Sequence, residues 1–308
     1  MTPAAQEQAR AFSTRLHEHA KAATSVLCVG VDPRPDAHPL THPEAHGADL
    51  TAVARSVAAH AKAVLDATHD LAACCKPQAA FFEALGLPGL EALADVMAHA
   101  RRLGLPVILD AKRGDIGSTA EAYATAYLAD GAFAADALTI NPYLGLDTLE
   151  PFITTADENG RGLFVLVRTS NPGSATLQEL EVKGGGRLYQ ELADRLNERA
   201  AELATGLHGY GLLGAVGGAT APEQLADLRR RLPHSLLLVP GYGAQGGSAA
   251  DVAQAFDAEG WGAVVNSSRG VMYSPAAAAA TTLQEVRTAA RQAALTARQD
   301  LNDALDRR

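Results

Sequence analysis

Short apolar runs rich in Val, Ile and Leu recur along the chain at 26–31, 71–75, 106–111, 136–140, 162–168, 212–217, 236–240 and 262–266. Most lack the alternation of apolar and polar positions that marks a strand with one wet face. They read as strands buried on both faces, and hence parallel. Between them lie longer, Ala-rich segments with helical spacing, at 50–69, 89–103, 118–130, 187–204, 222–232 and 248–259. Eight strand signals alternating with helices predict an α/β chain folded as a (β/α)8 barrel, one domain spanning 1–308. An open doubly wound sheet is the alternative; the count of eight and the even composition favour closure. An extra helix is expected at about 4–20 and a long C-terminal helix at about 275–306. Ser274-Pro275 opens the latter, since Pro is harmless at a first helical position, and Arg307 and Arg308 end it, where positive charge suits the dipole.

Two stretches interrupt the pattern. Residues 33–48 hold Pro33, Pro35, Pro39 and Pro43, and residues 171–186 run from Asn171-Pro172-Gly173 to Gly184-Gly185-Gly186. Long loops in a compact fold are often lids or binding loops. The second follows a strand on the face where barrel sites are built and is expected to be a lid. The first reads equally well as a surface insertion.

Composition narrows the class. Of the 308 residues, 47% are hydrophobic and 20% charged, enough for a large core, and the net charge is −9. That charge argues against a nucleic-acid partner but leaves room for an anionic small substrate. Cys28, Cys74 and Cys75 form no C-x-x-C pair, so neither disulfides nor a zinc site is expected. Without an apolar leader or membrane-length run, the chain reads as soluble and cytoplasmic, with no membrane partner.

The chemistry gathers at strand ends. In Leu109-Asp110-Ala111-Lys112-Arg113-Gly114-Asp115, alternation along a strand points Asp110 and Lys112 the same way, into the barrel. Asp32 ends strand 1 and Lys76 ends strand 2. Four charged residues of alternating sign then share one rim, where each supports the others' ionised forms. Taken alone, the Asp110–Lys112 pair reads as readily as a structural ion pair, with Asp115 a helix cap. Strand 7 ends in Pro240-Gly241-Tyr242-Gly243-Ala244-Gln245-Gly246-Gly247 and strand 8 in Asn266-Ser267-Ser268-Arg269-Gly270. Gly-rich turns let backbone N–H groups curl around an anion, a following helix N-terminus favours it, and an Arg grips phosphate with two donors.

Together, Asp-x-Lys-x-x-Asp-Ile-x-x-Thr at 110–119, Lys76 and Asp32 upstream, and Pro-Gly-x-Gly-x-Gln-Gly-Gly at 240–247 resemble the orotidine 5'-phosphate decarboxylases. Asp-Ala-Lys-Arg-Gly-Asp-Ile-Gly-Ser-Thr-Ala at 110–120, Lys-Pro-Gln-x-Ala-Phe-Phe-Glu at 76–83 and Asn-Ser-Ser-Arg-Gly at 266–270 resemble the long bacterial type 2 branch. The likeness runs from about 26 to 274. It implies conversion of orotidine 5'-monophosphate to uridine 5'-monophosphate by a homodimer with no cofactor or metal. By resemblance, Lys112 is the acid that protonates C6, Asp110 stands beside the substrate carboxylate, and Lys76 links that pair to the ribose. Asp115, with Ile116 and Thr119, is donated across a dimer interface. Asp32 binds ribose, Ser170 the pyrimidine, and Gln245 and Arg269 the phosphate, with Pro240 and Gly241 also among the substrate-binding residues. The family often has His where Asn171 stands.

Two alternatives remain. One is a magnesium-dependent phosphosugar decarboxylase or aldolase of the same barrel superfamily, which carries a metal-binding Glu where Lys76 stands. The other is a non-catalytic phosphate-ligand sensor, against which Asp110, Lys112 and Asp115 together argue. His38, His42 and His46 recur every four residues, but Pro39 and Pro43 break any helix that would align them, so a solvated loop is expected. Cys74 and Cys75 read as buried strand residues, Trp261 and Tyr123/Tyr127 as packing or interface, and His17 and His19 as exposed.

Overall fold

The computed structural model describes residues 11–243 and 246–308. Its strands are β1 (Leu27–Val31), β2 (Cys74–Pro77), β3 (Ile108–Arg113), β4 (Ala137–Ile140), β5 (Gly162–Arg168), β6 (Leu213–Gly217), β7 (Leu237–Val239) and β8 (Ala263–Ser267). All neighbours pair parallel, in the order β2-β1-β8-β7-β6-β5-β4-β3. Isolated parallel bridges from Cys75 to Val107 and from Gln78 to Asp110 bring β2 to β3, so the barrel is nearly closed. The apolar runs are buried on both faces, as parallel strands wrapped by helices require: Val29, Leu138, Phe164 and Val264 are all inaccessible. β2 begins at Cys74 rather than at 71, because Leu71 still belongs to the turn after the preceding helix, its N–H bonded to the Thr68 carbonyl at 2.9 Å.

Five predicted helices stand at Leu50–Thr68, Gly86–Arg102, Gly117–Leu128, Leu188–Glu202 and Pro222–Arg231. The sixth, at 248–259, is corrected to one short helix, Ala249–Val252, and a 3-10 turn, Ala253–Ala255. The chain leaves the helix there to bury Phe256, and Asp257 then accepts the N–H groups of Glu259 and Trp261. Helices at Ala79–Glu83 and Glu150–Glu158 were not expected. Pro275 opens only the turn Pro275–Ala278; the long C-terminal helix starts at Leu283, where Thr282 and Glu285 form a reciprocal capping box, and runs to Asp306. No helix among the described residues is long and apolar enough to cross a membrane.

The barrel floor is closed by the helix Phe12–Ala23; the rest of the segment expected at 4–20 lies outside the described residues. Phe12 meets Phe164 edge-on at 6.1 Å, and a Cβ on Gly162 would lie 2.2 Å from its ring. Ser13 donates to the Tyr210 carbonyl at 2.9 Å, and Arg15 pairs with Asp136 at 3.0 Å. His17 is half-buried between His208 and Trp261, and His19 is also half-buried, so neither is exposed as expected.

Phe12→Ala removes the ring that plugs the floor, far from the opposite rim. Unfolding free energy in urea should fall by about 3–5 kcal/mol, with turnover of the folded protein retained. A loss below about 1 kcal/mol would show that the floor does not depend on this ring.

Candidate active site at the C-terminal rim

The carboxylate of Asp110 organises the rim. Its Oδ1 accepts from Lys112 Nζ at 2.5 Å and from Thr139 Oγ1 at 3.0 Å. Its Oδ2 accepts from Lys76 Nζ at 2.6 Å and from Gln78 Nε2 at 3.0 Å. Four donors fill the lone-pair sites of one buried carboxylate. Burial works against charge on Asp110, but Lys76 and Lys112 outweigh it and hold the carboxyl well below the usual carboxylate range. Burial also works against charge on Lys76; the facing carboxylates of Asp110 and Asp32 outweigh it and hold the ammonium above its usual range.

Simple strand alternation does not place Lys112. The β3–β4 register shifts between Leu109 and Arg113, and Lys112 adopts φ +49°. Thr139 Oγ1 accepts the N–H groups of both Ala111 and Lys112, at 3.0 and 2.9 Å, and so holds this irregular turn of the strand. Side chains are rare at positive φ, and such strain persists only where the surroundings enforce it, commonly at functional sites. The side chain of Lys112 is 44% exposed, against 5% for Lys76. Of the two ammonium groups on Asp110, Lys112 is thus the accessible one.

These residues line a cavity of about 490 Å³ that also meets Asp32, Ser170, Asn171, Pro240, Gly241 and Arg269. Oδ1 of Asp32 is buried and has no hydrogen-bond partner among the described residues, which suits a ligand hydroxyl. The close approach of β1 to β8 requires Gly30: a Cβ there would lie 1.9 Å from Ser268 Oγ. Gly241, at φ +101°, turns the chain over the cavity. Farther round that loop the N–H groups of Gly243, Gly246 and Gly247 bond to carbonyls within it. The helix after β7 has its first turn occupied by the Ser248 and Asp251 side chains, and the one after β8 is the single turn Arg269–Met272.

The segment 171–186 is tied to the end of β5 and to the start of the next long helix. Buried Arg168 pairs with Glu179 at 2.7 Å, and Gln178 Oε1 accepts the Thr169 N–H at 2.9 Å. Its far end forms an antiparallel bridge between Glu181 and Arg187.

Lys112, Asp110, Lys76, Asp32, Ser170, Pro240, Gly241 and Arg269 therefore share one cavity, whereas Asp115, Ile116 and Thr119 do not line it. Asp115 accepts its neighbour's N–H, from Ile116, at 2.8 Å, and Ile116 is 62% exposed. Gln245 lies outside the described residues. Sequence reasoning missed Gln78, Thr139 and Arg34. Gln78 stands two positions beyond Lys76, and Thr139 is the polar residue of an otherwise apolar run; both were signals.

Residues 25–283 match the model of the orotidine 5'-phosphate decarboxylase / HUMPS family. The orotidine 5'-phosphate decarboxylase of Rhodopirellula baltica is 48% identical, over 85% of this chain and 88% of its own length. That of Deinococcus radiodurans is 44% identical, over 96% of this chain and 98% of its own. Among solved structures, Leishmania donovani OMP decarboxylase superposes with a TM-score of 0.75 at 35% identity, over 96% of this chain and 99% of that one. On the extent of the family match and the identity of these relatives, the chain belongs to the orotidine 5'-phosphate decarboxylase / HUMPS family.

Proposed function

We propose that this chain converts orotidine 5'-monophosphate to uridine 5'-monophosphate and CO2, the last step in making that nucleotide, without a cofactor. We further place it in the long type 2 branch, on the sequence Asp-Ala-Lys-Arg-Gly-Asp-Ile-Gly-Ser-Thr-Ala at 110–120. The observation that carries the reading is the alternating array in the cavity, in which Asp110 is clasped by Lys76 and Lys112.

Loss of CO2 from C6 leaves an electron pair in the plane of the pyrimidine, where the ring π system cannot spread it. Stabilisation must come from fixed charge that gains strength as the reaction proceeds. Lys112 supplies both the positive charge and the proton: the C6–carboxylate bond breaks, its electrons remain at C6, and the Nζ proton passes to that carbon. Asp110, with all its lone pairs engaged, has no capacity to bind the substrate carboxylate. It acts by holding Lys112 in place, and by standing close to the departing carboxylate, whose repulsion is relieved as CO2 leaves. Lys76 and the unpartnered oxygen of Asp32 meet the ribose hydroxyls, Ser170 the pyrimidine, and Pro240, Gly241, Gln245 and Arg269 the phosphate. In a homodimer, each barrel lends Asp115, with Ile116 and Thr119, to the other's cavity. Asp115, turned away from its own cavity beside exposed Ile116, supports that reading.

Three outcomes test it. The ultraviolet change on mixing with orotidine 5'-monophosphate should appear and should persist in excess EDTA. Activity lost to EDTA and restored by magnesium would favour the metal-dependent phosphosugar chemistry instead. Lys112→Ala should lower kcat by about 10⁴-fold or more in a protein with unchanged circular dichroism, because charge and proton vanish together. Retention of a tenth of wild-type kcat would remove Lys112 from the acid role.

The third outcome concerns the shared site. Lys112→Ala and Asp115→Ala should each be nearly inactive. In a mixed dimer one cavity carries both defects and the other neither. Random re-pairing of equal amounts makes half the dimers mixed, so about a quarter of wild-type activity should return. No recovery after demonstrated subunit exchange would leave Asp115 a local turn residue.

A further inference from the structure

The segment 33–48 reaches the cavity. Arg34 lines it, two residues beyond Asp32. Its guanidinium sits 5.5 Å from the Phe81 ring centre, and no hydrogen bond or ion pair to a side chain among the described residues engages it. The segment is anchored from below. His38, expected in solvent, is 1% exposed; its Nε2 meets the Ala277 carbonyl at 3.0 Å, and its ring lies 4.4 Å from that of buried His60. His60 in turn stacks on Tyr273 at 5.9 Å, and the Tyr273 hydroxyl accepts the Arg34 N–H at 2.7 Å. Tyr273 and Ala277 both follow β8 and Arg269, so the arm bearing Arg34 is tied to the element expected to grip phosphate. β1 and β8 are paired neighbours, which puts their exits side by side.

Charge arithmetic gives this arm a task. Four cations line the cavity: Arg34, Lys76, Lys112 and Arg269. Lys76 and Lys112 are committed to Asp110. A phosphate monoester carries about −1.5 to −2 charge near neutral pH, more than a single arginine offsets. A guanidinium also presents its donors in the fork that phosphate oxygens accept. Resting on the decarboxylase reading above, we propose that Arg34 is a second phosphate-binding arginine. The His38–His60–Tyr273 stack holds it over the cavity, and it leaves Phe81 for the nucleotide's phosphate when substrate enters. The segment 33–48 is then a working part of the site and not a tolerated insertion.

The test compares kcat/KM for orotidine 5'-monophosphate and for phosphate-free orotidine. Arg34→Ala should lower the nucleotide's value by about tenfold to a hundredfold, as expected for a lost charged hydrogen bond, and change the nucleoside's by less than about twofold. Arg34→Lys should recover part of the loss. His38→Ala, which frees the arm, should show the same selectivity, and its effect should largely disappear when added to Arg34→Ala. Equal losses on both substrates, or no loss on either, would overturn the proposal while wild-type turnover of the nucleotide leaves the decarboxylase reading standing. Absence of wild-type turnover would instead sink that reading.

Discussion

A buried carboxylate has to be satisfied from every side, and in this barrel that requirement falls on Asp110. The seam between β2 and β3 is joined only by two isolated bridges, one of them from Gln78 to Asp110 itself. The side chains that complete the carboxylate come from three strands or their exits: Lys76 and Gln78 from β2, Lys112 from β3 and Thr139 from β4. Where the backbone ladder is thinnest, side-chain charge spans the gap. Removing one partner of such a buried pair typically costs about 3–5 kcal/mol, because the other is left uncompensated. The same bonds therefore close the barrel and set the geometry of its chemistry, and variants of Lys76 or Asp110 would combine both effects. Lys112, far more exposed, separates them.

The two ends of the barrel divide the work. At the floor, Phe12, Phe164 and the Arg15–Asp136 pair hold the chain with no link to the cavity. At the rim, three features converge on one cavity: Lys112 at φ +49°, a buried carboxylate oxygen of Asp32 with no partner among the described residues, and the Arg34 guanidinium resting over an aromatic face. Such features occur at the floor as well, at Thr24, His208 and His19, but at the rim they line a single cavity, as a site reserved for a ligand requires.

Much of this was legible in the sequence, for identifiable reasons. Parallel strands wrapped by helices are apolar without alternation, so eight runs were visible as eight strands, and charged residues closing such runs stood out. Alternation along β3 placed Asp110 and Lys112 on one side, but the actual route is an irregular register held by Thr139, a contact across 27 residues that no local pattern carries. The Ala-rich run at 248–259 had helix composition, yet the need to bury Phe256 ended the helix after one turn. His38 looked solvated because its partners, His60 and the Ala277 carbonyl, are distant in sequence. Local propensity reads elements; it does not read which distant surface a loop will meet.

The exposed surface beside the cavity carries a last constraint. Ile116 is 62% exposed, and the loop leaving the adjacent strand β4 exposes Tyr143 at 76% and Leu144 at 53%. Large apolar side chains in neighbouring loops are poorly placed for a solvent-facing rim. Between them, Gly114 packs so closely that a Cβ would lie 2.8 Å from the Asn141 carbonyl oxygen, which fixes the path on which Asp115 leaves its own cavity. An outward-turned acidic side chain and an apolar surface around it are separate anomalies in a monomer. In the two-fold pair proposed above they would become one feature: the apolar loops would meet their copies and each Asp115 would be carried toward the opposite array. That is the arrangement in which Lys112 would face two carboxylates, Asp110 of its own barrel and Asp115 of the other, on either side of the proton it gives away.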